Sequence, residues 1–236
     1  MRILTIILFT ALSYTDVQCQ EGTAADPSHY LDSLKTEMQK QWPGNRTINL
    51  VFHGHSVPAG YFKTPVVNSQ EAYPNLVLRE LKKLYPYAVI NVIVTAIGGE
   101  NSISGEERFE RDVLVHKPDV LFIDYALNDR GPGLEKAKEA WQSMINKALK
   151  NDIKIILLTP SPDQNVNILE DGNILEQHED QIIKLAKNNG IGLVDSYALF
   201  RANAEAGENV ADYMSQVNHP NEKGHRLIAE SILLYF

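Results

Sequence analysis

Alternation dominates this chain. Apolar runs rich in Ile, Val and Leu recur at Ile48–Phe52, Val89–Val94, Val120–Tyr125, Ile153–Leu158 and Gly192–Val194. Between them lie helix-like segments at about Gln70–Leu84, Ser104–Val115, Leu134–Lys150 and Ile174–Asn188, and a last one spans about Glu222–Leu234. Strands dominated by apolar residues, rather than apolar at every second residue, are typically buried on both faces. Separated by helices, they specify a five-stranded parallel sheet with helices on either side, an α/β fold. In such sheets ligands bind beyond the carboxyl ends of the strands. The residues that follow each apolar run are therefore the first place to look for chemistry.

Three of those positions stand out. Val51-Phe52-His53-Gly54-His55-Ser56 ends a strand in a small-residue turn that carries a serine. Gly99 follows the second run and Asn128 follows the third. At the far end, Asn218-His219-Pro220 leads into the last helix. A serine hydroxyl is a weak nucleophile and needs a base within hydrogen-bond reach. A serine after the first strand and a histidine before the last helix can meet at one sheet edge. Ser56 is thus the candidate nucleophile and His219 the candidate general base. His225 falls inside the last helix and reads as packed.

These blocks, in this order, resemble the SGNH (GDSL-like) hydrolase superfamily of esterases and lipases. That family carries a Gly-Asp-Ser turn, a glycine after the second strand, a Gly-x-Asn-Asp turn after the third, and Asp-x-x-His near the end. Here they read Gly54-His55-Ser56, Gly99 within Ala96–Ser102, Ala126-Leu127-Asn128-Asp129, and Gln216-Val217-Asn218-His219. The resemblance spans about residues 47–236. It implies a three-layer, flavodoxin-like sandwich and an oxyanion hole made by the main-chain N–H groups of Ser56 and Gly99 and the side-chain amide of Asn128. It gives Asp129 a structural role beside Asn128.

Three departures matter. His55 replaces the aspartate of the first block and Ala126 the glycine of the third. Gln216 stands where the family has the acid that orients the histidine. A glutamine oxygen can accept the Nδ1 proton but brings no charge, and an amide in place of the acid costs a serine protease about 10⁴ in rate. Three outcomes stay open: a Ser–His dyad oriented by Gln216 or a main-chain carbonyl, a displaced acid at Asp212, or a weakened or lost catalyst.

Weaker candidates line the loops. Tyr61 and Phe62 follow the nucleophile and can wall a substrate site or simply pack. Arg130 can bind an anionic substrate group or form a surface ion pair. His53 and His55 stand at strand spacing, but no cysteine or carboxylate cluster completes a ligand set. No metal and no cofactor is expected.

The remaining features bear on location and partners. Met1-Arg2 followed by the apolar stretch Ile3–Leu12 resembles a secretory signal peptide and is too short to span a bilayer. Residues 1–19 are taken as that signal and residues 20–46 as a leader and N-terminal helix. Residues 47–236 then form the hydrolase domain. The only cysteine, Cys19, would leave with the signal; its lipidation is a second reading, disfavoured by Asp16-Val17-Gln18. A net charge of −8 argues against nucleic acid and anionic membrane surfaces. The expected protein is a secreted or periplasmic serine esterase acting through an acyl-enzyme on a small-molecule or polysaccharide ester, foremost an O-acylated carbohydrate. The alternatives are a lysophospholipase or short-chain lipid esterase, and a non-catalytic carbohydrate-binding or scaffold protein on the same fold.

Overall fold

A computed structural model describes residues 22–236; the signal segment and Cys19 lie outside the described residues. Five strands form the sheet: β1 (Thr47–Gly54), β2 (Val89–Val94), β3 (Val120–Asp124), β4 (Lys154–Leu158) and β5 (Gly192–Val194). All are parallel, in the order β2-β1-β3-β4-β5. This doubly wound order reverses direction between β1 and β3, where open α/β sheets hold their ligands.

Strand alternation divides the core into two faces. Leu50, Phe52, Phe122, Ile156 and Leu158 turn to one side. They pack there with α1 (Asp32–Met38), α3 (Tyr73–Leu84) and α9 (Glu222–Leu233). Val51, Leu121, Ile123, Ile155 and Leu157 turn to the other. Their partners are α5 (Phe109–Asp112), α6 (Leu134–Leu149) and α7 (Ile174–Asn189). Successive side chains of a strand point to opposite faces, so one apolar run feeds both layers.

The expected segments differ from the observed ones where side chains intervene. The helix expected over 104–115 starts earlier, because the Asn101 side chain caps it by accepting from the N–H groups of Ile103 and Ser104. It then breaks at Arg108, separating α4 (Ser102–Glu107) from α5. The Arg108 side chain is drawn inward onto Glu100 and the Tyr125 hydroxyl. Trp42, within the segment 20–46 expected to carry the N-terminal helix, lies beyond α1 and is 85% exposed. Three elements had no clear periodic signal. They are the one-turn helix α2 (Ser56–Ala59), helix α8 (Ser196–Glu205), and the hairpin of β6 (Met214–Gln216) and β7 (His219–Pro220). Asp195 caps α8, accepting from the N–H of Ala198 and the hydroxyl of Thr159.

Candidate active site

Ser56 opens α2 directly beyond the end of β1. Its elbow is tied down by main-chain bonds: Gly60 ends the turn at φ +86°, and the Tyr61 N–H donates to the Ser56 carbonyl at 3.0 Å. His219 sits in β7 on the two-stranded hairpin. That hairpin is anchored by Asn221, whose side chain caps α9 and bonds back to the Asp212 carbonyl. Ser56 Oγ and His219 Nε2 are 3.0 Å apart, although the two residues are 163 positions apart in sequence. Both are largely shielded from solvent.

The other ring nitrogen decides what His219 can do. Its Nδ1 lies 2.9 Å from the Phe62 carbonyl and 2.7 Å from Gln216 Nε2. A carbonyl only accepts, so an Nδ1–H directed at Phe62 leaves Nε2 bare and facing the serine. Gln216 is less accommodating. Its Oε1 accepts from the Thr64 N–H at 3.0 Å, which turns its amide nitrogen toward His219. Two donors then face each other. Reversing the amide would satisfy His219 but set an NH₂ group against the Thr64 N–H. The Phe62 oxygen is therefore the one unconditional acceptor for Nδ1. Burial lowers the His219 pKa, opposed by the Phe62 bond, which favours the neutral ring that a base requires. Asp212 is exposed on a short turn, and among the described residues no carboxylate hydrogen-bonds to His219.

Gly99 and Asn128 lie at the same edge. The loop after β2 stays paired to β1, with Thr95 N–H on the Phe52 carbonyl and Ile97 N–H on the Gly54 carbonyl. Gly99 follows at φ +82°, a conformation that a side chain disfavours, with open space where a Cβ would stand. Asn128 Nδ2 donates to the Glu100 carbonyl at 2.8 Å, fastening the β3 turn to the β2 loop. Its second amide hydrogen has no protein acceptor among the described residues. Behind it, Asp129 is fully buried and accepts from the Ser102 N–H at 2.8 Å and from Trp141 Nε1 at 2.6 Å. Burial raises its pKa, against the pull of those two bonds.

The weaker candidates separate. The Tyr61 ring lies 6.0 Å from the His219 ring and packs so closely on Gly98 that a Cβ there would come within 2.8 Å of it. It is partly exposed. Phe62 instead turns inward and stacks on His225 at 5.1 Å, so only its carbonyl serves the site. Arg130 is engaged by the Leu127 carbonyl at 2.9 Å and Asp163 at 2.8 Å. His53 is held by Thr95, Gly105 and Tyr125, and burial pushes its pKa down to about 3. No group of three or more His, Cys, Asp or Glu side chains able to hold a metal occurs among the described residues.

Sequence reasoning missed two groups that face the candidate residues. The Phe62 carbonyl is a main-chain group and leaves no residue-type signal. Asp124 does leave one: a lone acid ends the apolar run Val120-Leu121-Phe122-Ile123. It is nearly fully buried and faces His55.

Comparison with known proteins bears on the family and the fold. The model of the GDSL-like Lipase/Acylhydrolase family matches residues 52–227. No curated protein sequence matches significantly. Among solved structures, a two-domain esterase active on acetylated mannans superposes with a TM-score of 0.72 at 21% identity, covering 90% of this chain and 53% of that one. This chain thus spans about half the length of that esterase. A catalytic mutant of an acetylxylan esterase from Geobacillus stearothermophilus gives a TM-score of 0.69 at 22% identity, covering 80% and 94% of the two chains. A further acetyl xylan esterase gives 0.65 at 25% identity, covering 79% and 98%. With its five-stranded parallel sheet and a family match across most of its length, the chain belongs to the GDSL-like lipase/acylhydrolase family of ester-hydrolysing enzymes.

Proposed function

We propose that the protein is an exported serine esterase that removes small acyl groups, foremost acetyl, from O-acylated carbohydrates. The 3.0 Å contact between Ser56 Oγ and His219 Nε2 carries the reading. Ser56 attacks the acyl carbon while His219 takes its proton. The charge that develops on the carbonyl oxygen meets the main-chain N–H groups of Ser56 and Gly99 and the free amide hydrogen of Asn128. His219 returns the proton to the leaving sugar hydroxyl, leaving Ser56 acylated. Water activated by the same imidazole then releases the acid. The Phe62 carbonyl holds the ring in the tautomer that accepts from Ser56 and takes the place of the family's acid. Tyr61, beside His219 and the oxyanion loop, offers an aromatic face to the sugar.

The substrate class draws support from the structural neighbours, which act on acetylated mannans or are acetylxylan esterases. Export rests on the signal-like start of the sequence. A non-catalytic binding protein is the reading to exclude, because Gln216 meets Nδ1 donor to donor. The test is acid release from acetylated xylo- and manno-oligosaccharides, compared with lysophospholipid and long-chain p-nitrophenyl esters, by wild type and Ser56→Ala. The expected result is acetate from the sugars with wild type alone. Turnover only of the lipid esters would replace the substrate class, and wild-type rates no higher than those of Ser56→Ala on every ester would replace the enzyme reading.

A further inference from the structure

Ser56 lies between two imidazoles, and the second one has the carboxylate that the first lacks. His55 is fully buried and directly precedes the nucleophile. Its Nδ1 accepts the Val57 N–H at 3.2 Å and lies 3.5 Å from Ser56 Oγ. An Nδ1 that accepts carries no proton, so the ring proton is on Nε2. That atom lies 3.3 Å from Asp124 Oδ1. The contact is off-line, but both atoms are buried and neither has another hydrogen-bond partner. Buried polar atoms left unpaired are costly, so the two are each other's natural complement. The second oxygen, Asp124 Oδ2, accepts from the Tyr73 hydroxyl at 3.0 Å, which holds the carboxylate in place.

We infer that Asp124 and His55 are positioning residues for the nucleophile. Asp124 locks the tautomer and ring of His55, and the bare His55 Nδ1, by accepting the Val57 N–H, holds the elbow that presents Ser56 Oγ to His219 Nε2. The inference rests on Ser56 being the nucleophile. A histidine tautomer follows from the bond its other nitrogen makes, and a carboxylate facing Nε2 demands a proton there. It also makes Nδ1 a stronger acceptor, as outer carboxylates do for other functional histidines. The pair joins two departures from the family pattern: His55 replaces the aspartate of the serine turn, and the carboxylate missing at position 216 reappears at the end of β3.

The test combines two variants with a measurement on wild type. His55→Asn keeps an oxygen to cap Val57, since Asn is a good helix N-cap, but removes the imidazole and its link to Asp124. Its kcat on p-nitrophenyl acetate should fall by about 10²-fold, the scale of a misplaced reacting group, with KM little changed, and the melting temperature should drop as Asp124 Oδ1 loses its complement. Asp124→Asn presents an NH₂ to Nε2, drives the proton to Nδ1 and sets it against the Val57 N–H; kcat should fall at least as far. In wild type, ¹⁵N NMR should report His55 with its proton on Nε2. An Nδ1–H tautomer, or a His55→Asn kcat within twofold of wild type, overturns the pairing and leaves His55 a helix cap. Should either variant fail to fold, the NMR measurement decides. Wild-type turnover by Ser56→Ala would instead overturn the nucleophile assignment beneath it.

Discussion

Phe62 and His219 meet main chain to side chain. The Phe62 carbonyl lies 2.9 Å from Nδ1, while the Phe62 ring is locked in the core on His225. The same packing that buries the ring therefore aims the carbonyl, and the loop carrying it is stapled to the β6–β7 hairpin by Thr64 N–H and Gln216 Oε1. His219, the proposed base, is oriented by backbone, without charge.

That arrangement invites a charge swap. Gln216→Glu keeps the chain length and leaves one oxygen on the Thr64 N–H. The other oxygen replaces the amide nitrogen 2.7 Å from Nδ1. The donor-to-donor clash disappears, and a carboxylate stabilises the imidazolium that forms in the transition state. We expect kcat to rise about tenfold or more, within the roughly 10⁴ that separates an acid from an amide at the equivalent position of a serine protease. The new charge should also move the acid limb of the kcat/KM profile upward. In wild type that limb should lie below the ordinary histidine value of 6.5, because burial lowers the His219 pKa. Steady-state kinetics from pH 4 to 8 on both proteins checks this, and an unchanged or lower kcat in Gln216→Glu counts against it.

Asn128 holds the loop and, as proposed, the oxyanion, so its removal should be felt mainly in rate. Asn128→Ala deletes the bond to the Glu100 carbonyl and the free amide hydrogen. A drop in kcat of about 10²–10³ with KM within a few-fold is expected, the usual loss for one oxyanion donor. A change confined to KM would assign Asn128 to substrate binding.

How much of this was readable beforehand follows from where each signal resides. The five strands declared themselves as short runs dominated by apolar residues; β2 and β5 match at both ends, although β2 is a half-exposed edge strand that carries Asn91. That Ser56, Gly99 and Asn128 converge was legible because a parallel sheet brings its strand ends together, and His219 joins them from the hairpin before the last helix. The helix after β2 was misjudged because Arg108 obeys Glu100 and Tyr125, contacts that local periodicity does not encode. The orientation of His219 was left open because its acceptor is a carbonyl 157 residues away, and any residue type supplies a carbonyl.

Asp129 should govern stability more than chemistry. Asp129→Ala leaves the Ser102 N–H and Trp141 Nε1 without their acceptor in a fully buried place. Each such orphan costs about 1–3 kcal/mol. Chemical denaturation should show a loss of about 2–5 kcal/mol, with the near-ultraviolet signal of Trp141 altered. A loss under about 1 kcal/mol would mean that water replaces the carboxylate.

Acid should unfold this protein early, and three histidines set the window. Burial pushes His53 and His225 down to about 3 and His178 to about 4, all below the unfolded value of 6.5. A histidine with a depressed folded pKa gives stability that is present above 6.5. That stability is lost as pH falls toward the folded value, because only the unfolded chain takes up the proton. Each contributes a slope of about 1.4 kcal/mol per pH unit between 6.5 and its folded pKa. Glu179 works the other way. Burial and the facing Asp195 raise it to about 8, so it adds stability as pH falls from 8 toward 4.5 and offsets roughly one histidine over the shared range. The net slope from pH 6.5 to 4.5 is then about two histidines' worth, steepening to three from 4.5 to 4 as Glu179 drops out. His178→Leu removes a buried ring whose Nε2 has no partner and should flatten the slope by about one histidine's share. Urea midpoints at pH 7, 6, 5 and 4 for wild type and His178→Leu measure it; parallel curves would show that His178 titrates normally in the fold.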